Sequence, residues 1–401
     1  MKHGWEYTRF GDIIKPAKNV RNGVREKLPV LSITMRGGIV KQNDRFKKVI
    51  ASRDTANYKV VKRGQLVIAF PIDEGLIYTQ EVVEEGIMSP AYDVYDIDCT
   101  YINRQFLVNY FHCPQAMKYY KDKLRGTTQR RRMLPKEDLY ALLIPVPPLP
   151  VQKQICSLLD KINRVIEAKK EQLKELDNLA QAIFYDMFGD PVTNEKGWEN
   201  CMLENICKIS SSKRIFAEEY VDAGIPFYRG KEVTEKSKGL QTSVELFINT
   251  DRYNEIKHKY GVPQKGDILL TAVGTIGNIW VIDNDEPFYF KDGNVLWLQR
   301  KTETNSVYLK YLLETLIDVY KSSMANGCAY NALTIMNLKK MPTNIIPLSL
   351  QQAFAEKVEA IERQKELINQ SLREVQTLFD SRMDYWFSEE DDDFGQLDKL
   401  D

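Results

Sequence analysis

The chain has 401 residues, room for two or three domains that each bury a core. With 43% hydrophobic and 28% charged residues it is not a disordered chain. No apolar run approaches the roughly 18–20 residues of a membrane span, and the opening Met1-Lys2-His3-Gly4-Trp5-Glu6 has no signal-peptide core, so a cytoplasmic location is expected. The six cysteines are scattered without a C-x-x-C spacing, which predicts reduced, mostly buried thiols rather than a disulfide framework or a zinc site. The net charge of zero hides an uneven distribution. Residues 388–401 carry seven acids against one lysine and read as an acidic, disordered tail, leaving +6 on the rest.

In chain order, residues 1–149 form a first globule with 25 Lys/Arg against 16 Asp/Glu. Its clearest strand signal is Val60–Phe70. A long helix is predicted over 150–190, where Ile155, Leu159, Ile162, Ile166, Lys169, Leu173, Leu176, Ala180, Ile183 and Met187 alternate by four and three, a coiled-coil seam with one lysine in it. Pro150 suits its first turn, and Gly189-Asp190-Pro191 stops it. Residues 191–347 hold a second globule, balanced from 192 onward at 19 charges of each sign, with strands at Asp267–Val273 and Tyr289–Leu298 and a helix near Val307–Lys321. A second long helix covers 348–387 with its seam at Phe354, Val358, Ile361, Lys365, Ile368, Leu372, Val375, Phe379, Arg382 and Trp386, and Ser349-x-x-Gln352 reads as its capping box. Lys169 and Lys365 are either register-setting polar positions or lysines reaching out to solvent.

The order is a repeat. Gly4-Trp5-Glu6-x-x-x-Phe10-x-x-Ile13 recurs as Gly197-Trp198-Glu199-x-x-x-Leu203-x-x-Ile206, and Lys62-Arg63-Gly64 before a buried run recurs as Gln264-Lys265-Gly266. Pro148-Leu149-Pro150-Val151-Gln152 matches Pro347-Leu348-Ser349-Leu350-Gln351, with an offset of 199 that holds to Phe188 and Phe387. The fold class expected is α+β: two tandem mixed globules separated by two long antiparallel coiled-coil helices with pseudo-two-fold symmetry. A helix of about 39 residues spans roughly 58 Å, more than one DNA turn of ~34 Å, and could act as a spacer.

Catalytic signals are missing. Three histidines with no H-x-x-x-H spacing give no support to a metal hydrolase or a Ser-His-Asp triad, and no metal site is expected. There is no G-x-x-x-x-G-K-[ST] or G-x-G-x-x-G loop for a nucleotide. Ser89-Pro90-Ala91-Tyr92 departs from the amino-methyltransferase tetrapeptide at its third position and reads as a surface turn, as Pro71-x-Asp73-Glu74 reads as an exposed acidic loop.

Nucleic-acid contact has better candidates. After Lys121 and Lys123, Arg125, Thr127, Thr128, Gln129, Arg130, Arg131 and Arg132 combine cations that reach phosphates or guanine edges with polar groups that address bases. The corresponding stretch of the second globule offers Asn326, Tyr330 and Asn331 instead, and Asn pairs well with adenine. Arg36 and Lys41, Arg229 and Lys231, and Thr275 with Asn278 sit beside glycines that permit close backbone approach, and Arg45-x-Lys47-Lys48 adds a basic run. Tyr78 and Tyr228 read as core aromatics.

The run Ile144-Pro145-Val146-Pro147-Pro148-Leu149-Pro150-Val151-Gln152-x-x-Ile155 before a long helix, followed by Met187-Phe188-Gly189-Asp190-Pro191-x-x-Asn194-x-x-Gly197-Trp198, resembles the specificity subunit of type I restriction-modification systems over essentially the whole chain. That resemblance implies two target-recognition domains on antiparallel spacer helices, double-stranded DNA with a bipartite asymmetric site as ligand, and two modification subunits as partners. It further implies that S-adenosylmethionine, ATP and Mg belong to the partner subunits, which methylate adenine N6 or, through a motor-nuclease, cut DNA, and that this chain is not itself an enzyme. A self-contained methyltransferase and a purely structural coiled-coil adaptor are the alternatives. The second copy departs from the pattern in lacking the Pro-Pro pair before its helix.

Overall fold

The computed structural model describes residues 4–23, 28–35, 37–45, 54–125, 134–301, 303–325 and 333–388. By contacts the chain divides into two units, Met1–Lys170 with Gln370–Asp401, and Glu171–Asn369. Each unit therefore takes one half of each long helix.

The first unit is founded on a four-stranded antiparallel sheet in the order Ile14–Pro16, Asp93–Ile97, Leu66–Ile68, Ile77–Thr79. Beside it Glu6–Arg9 pairs antiparallel with Leu143–Val146, Tyr7 opposite Pro145. The expected single strand over Val60–Phe70 is two strands, Lys59–Lys62 and Leu66–Ile68, because Gly64 turns between them at φ 83°. It is the positive φ that calls for glycine; a side chain at Gly64 would meet only the end of the flexible Arg104 side chain, which can move aside. Asn103 starts the Arg104–Phe111 helix by accepting from the Phe106 N–H, and Pro114 opens the next helix, Pro114–Lys123.

The second unit repeats the plan. Its sheet runs Cys207–Ser210, Val295–Arg300, Ile268–Thr271, Ile279–Val281 in the same antiparallel order, and Glu199–Met202 pairs with Pro342–Ile345. Gly266, at φ 88°, is the counterpart of Gly64. The run Tyr289–Leu298 is broken into Tyr289–Phe290 and Val295–Arg300. The units differ between their first and fourth sheet strands in chain order. There the first unit has two two-stranded pairs, Leu31–Thr34 with Gly38–Lys41 and Lys59–Lys62 with Glu85–Met88. The second instead has a four-stranded sheet, Tyr220–Val221, Phe247–Ile248, Ile225–Tyr228, Tyr289–Phe290, flanked by the helices Gly230–Ser237 and Thr250–Tyr260.

The long helices run Leu149–Phe188 and Leu348–Phe387, 40 residues each. They start alike, on a carbonyl of the one proline common to both copies: Gln152 N–H donates to Pro148 O, and Gln351 N–H to Pro347 O. The capping box expected at Ser349 does not form, since Ser349 already lies inside the first turn and Pro347 provides the helix entry. The first helix ends where the sequence says: Gly189 adopts φ 73° and Trp198 Nε1 donates to the Phe188 carbonyl.

The seam residues face inward. In the first unit Ile155 and Leu159 from the start of one helix join Met383 and Phe387 from the end of the other in one core with Phe10, Leu66, Phe106 and Phe111. In the second, Ala180, Phe184 and Phe188 meet Phe354, Val358 and Ile361. Start packed against end in both units makes the helices antiparallel. Lys365 does not reach out to solvent: its Nζ lies 2.8 Å from Asp177 on the other helix and 2.9 Å from Glu362. The lysine thus bridges the two helices at the edge of the seam.

One side chain in each unit fastens helix to globule. Gln152, fully buried, accepts the Asn103 N–H at 2.7 Å and donates to the carbonyls of Tyr101 and Pro147. Gln351 repeats this with Asn305 N–H at 2.8 Å and the carbonyls of Glu303 and Ile346. A buried glutamine has both a double acceptor and a double donor to satisfy, and here backbone groups at the globule's helix start meet them.

Candidate nucleic-acid interface

The two stretches richest in predicted contacts occupy the same place in each unit, after a helix of the globule and before the strand that leads into the long helix. Thr127, Thr128, Gln129, Arg130, Arg131 and Arg132, and likewise Asn326, Tyr330 and Asn331, lie outside the described residues, as do Arg36, Lys47 and Lys48. Arg125, at the edge of the first stretch, is 77% exposed and lies 3.3 Å from Asp138. At 3.3 Å and with its guanidinium in solvent, Arg125 is held loosely and is able to turn to a phosphate. Lys41 is exposed at the end of the Gly38–Lys41 strand.

The first unit adds a small cleft of about 170 Å³ bordered by Lys18, Lys59, Asp93 and Lys136. Burial lowers the Lys59 pKa, the opposing pull of Asp93 being smaller, and its ammonium donates to the Tyr92 carbonyl.

In the second unit, Arg229, Lys231 and Thr275 border one cleft of about 640 Å³ together with Thr234, Glu245 and Asn294. The two cations are already engaged. Arg229 Nη2 donates to Glu232 Oε1 at 2.7 Å and to Glu245 Oε2 at 2.8 Å, while Lys231 Nζ donates to Glu245 Oε1 at 2.7 Å. Hydrogen bonds from Lys231 and then Arg229 hold the Glu245 carboxyl down to about 2. Burial opposes the charge of Glu232, but its bonds from Arg229 outweigh that and leave its pKa lowered.

Asn278 braces its loop. Its amide donates to Thr234 Oγ1 at 2.9 Å and to the Thr275 carbonyl at 3.1 Å, and its own N–H is held by Thr271 Oγ1. The sequence had no signal for Glu245 or Asn294, which come to the cleft from segments far apart in the chain. Tyr228 is buried as expected, and Tyr78 is half-buried with its hydroxyl donating to the Met35 carbonyl. Ser89 to Tyr92 form a turn, with Tyr92 N–H donating back to Ser89 O.

Burial pushes the thiols of Cys113, Cys156 and Cys207 up to about 12, which makes them poor nucleophiles. Both ring nitrogens of His112 face backbone carbonyls, those of Val108 and Gly75, at 2.8 and 2.9 Å. No described group of His, Cys, Asp or Glu could hold a metal ion, and no described helix is long and apolar enough to cross a membrane.

Comparison with known proteins agrees with this architecture. A putative type I restriction enzyme specificity subunit of Haemophilus influenzae is 27% identical over 276 residues, 68% of this chain and 67% of the relative. The putative MjaX specificity subunit of Methanocaldococcus jannaschii is 21% identical over 68% of this chain and 65% of its own length. A solved chain from work on complex assembly and conformational transition of the type I R-M system superposes with a TM-score of 0.60 at 18% identity, covering 96% of this chain and 98% of its own. The type I S subunit from M. genitalium gives 0.50 at 13% identity over 97% and 98%. The family model described as type I restriction modification DNA specificity domain matches residues 91–178 and 195–377, more than half of the chain, and the protein therefore belongs to that family of specificity subunits.

Proposed function

We propose that this chain is the non-catalytic, sequence-reading subunit of a type I restriction-modification enzyme, binding a bipartite asymmetric site in double-stranded DNA and docking two adenine-N6 modification subunits. One observation carries the reading: the same sheet, two-stranded pair and glutamine fastening occur twice, while the segments added to that scaffold differ. A repeated scaffold suits a ligand whose halves are related by a dyad, and unlike additions suit two different half-sites. The unlike sequences fit this too, arginine-rich in residues 125–132 and asparagine- and tyrosine-bearing in residues 326–331.

The chain is proposed to work in the cytoplasm and to bind no cofactor of its own. S-adenosylmethionine, ATP and Mg would belong to the modification subunits and to motor-nuclease subunits that cut unmodified DNA. Buried thiols and the absence of a nucleotide loop support this division of labour. Sequencing methylated adenines in cells carrying the full system is expected to show one interrupted, asymmetric motif that disappears when this chain is deleted. Methyl transfer from labelled S-adenosylmethionine by the isolated chain would overturn the non-catalytic assignment.

A further inference from the structure

The cleft around Arg229 and Lys231 looks at first like a phosphate site, but its charge is wrong for one. Its two cations are matched by Glu245 at the rim and Glu232 beneath, and a third carboxylate, Glu235, borders the same space. Glu235 Oε2 is buried without a hydrogen-bond partner among the described residues. Two cations against three carboxylates leave the site short of positive charge, whereas a phosphate needs a surplus.

What the cleft does offer is a fixed hydrogen-bond acceptor. Each oxygen of Glu245 receives one bond from a different cation, which sets the carboxylate plane, while the side chain remains 54% exposed. A carboxylate accepts several hydrogen bonds, so lone pairs remain for a ligand. The two cations bound to it offset most of the repulsion that a bare carboxylate would feel near a polyanion. Around it stand Thr275, Asn294 and the exposed Val273, a neutral polar and apolar rim rather than a basic one.

We infer that Glu245 is a specificity-determining residue that accepts a hydrogen bond from the exocyclic amino group of a base, adenine N6 or cytosine N4, exposed in the major groove of the half-site read by the second unit. Guanine and thymine present acceptors at that edge and would be rejected by the same carboxylate. Arg229 and Lys231 are then positioning residues, not phosphate contacts. This rests on the DNA-reading function proposed above and assigns a class of base to one place in it.

The test uses the complex of the full chain with its modification subunits and the motif found by methylated-adenine sequencing. Duplexes are made in which one adenine at a time is replaced by purine, or one cytosine by 2-pyrimidinone, each lacking only the amino group. In the wild-type complex one such deletion, in the half-site of the second unit, is expected to weaken binding by about tenfold, and the same deletion to cost nothing further in E245A. Purine or 2-pyrimidinone at that position tells adenine from cytosine. E245M, which keeps most of the side-chain volume, provides the same comparison if E245A does not fold. The inference is overturned if no amino deletion in that half-site weakens wild-type binding, or if every deletion costs the same in wild type and variants. It is also overturned if both variants bind all DNA more tightly with a steeper salt dependence, which would make Glu245 a mask over phosphate-binding cations. A wild-type complex without any sequence preference would instead bring down the DNA-reading function itself.

Discussion

The two units share a frame and differ in what is mounted on it. Strand order, the left-handed glycine before the buried strand, and the buried glutamine at the helix start recur as Gly64 with Gln152 and as Gly266 with Gln351. Between the first and fourth sheet strands the copies part company: two short strand pairs in the first unit, and a separate sheet with two helices in the second. The frame is constrained because it must close a core against two helices at once. The added segments close smaller clusters of their own, around Leu31, Val61 and Met88 in the first unit and around Phe227, Ile248 and Tyr289 in the second, so their exposed residues can differ without disturbing the frame.

The comparison can be broken at the frame first. Phe354 packs against Phe184 at 5.7 Å and against Phe188 at 5.4 Å, at the centre of the second core. F354A is expected to lower unfolding free energy by about 3–5 kcal/mol, and F387A, from the equivalent core of the first unit, by a similar amount; urea denaturation measures both. Next comes the fastening. Q152A and Q351A each strand a backbone N–H and two carbonyls, and each is expected to cost about 3 kcal/mol. Equal losses would sharpen the view of one duplicated frame, and a large loss at only one would break it.

Smaller effects are expected in the mounted parts. Replacing Arg130, Arg131 and Arg132 together by Ala should leave unfolding unchanged and flatten the dependence of log K on log salt by about 0.9 for each phosphate contact removed. An unchanged slope would take that loop out of the interface. The smallest effect concerns acid. Because the folded-state pKa of Glu245 is depressed from 4.5 to about 2, its contribution to stability is present above pH 4.5 and fades as pH falls towards 2. E245Q should flatten that acid limb slightly in the second unit, followed by circular dichroism from pH 5 to pH 2.

Much of the frame was legible because it is written in periodicity and in residues with single conformational uses. The four-three spacing from Ile155 to Met187 and from Phe354 to Trp386 announced both helices, and Gly189-Asp190-Pro191 their boundary. Strand limits were read less well: Val60–Phe70 has apolar ends around the polar Lys62-Arg63-Gly64-Gln65, and it is there, with Gly64 at φ 83°, that the chain turns and divides the run. Lys365 was ambiguous because its partner, Asp177, is 188 positions away in the chain and reaches it only when the helices pair antiparallel. The cleft was half visible: glycine marked Arg229 and Lys231, but Glu245 and Asn294 arrive through folding alone and have no local signature. Asn278 looked like a base reader because an amide beside glycine has the right chemistry, and the structure spends that amide on Thr234 and Thr275.

The most direct test of a common frame carrying separate readers is an exchange. Residues 1–149 are replaced by the corresponding globule of another member of the family, and methylated adenines are sequenced in cells carrying the complete system. The account predicts a motif in which one half-site changes and the other stays as it was. A change in both halves, or in neither, would contradict it.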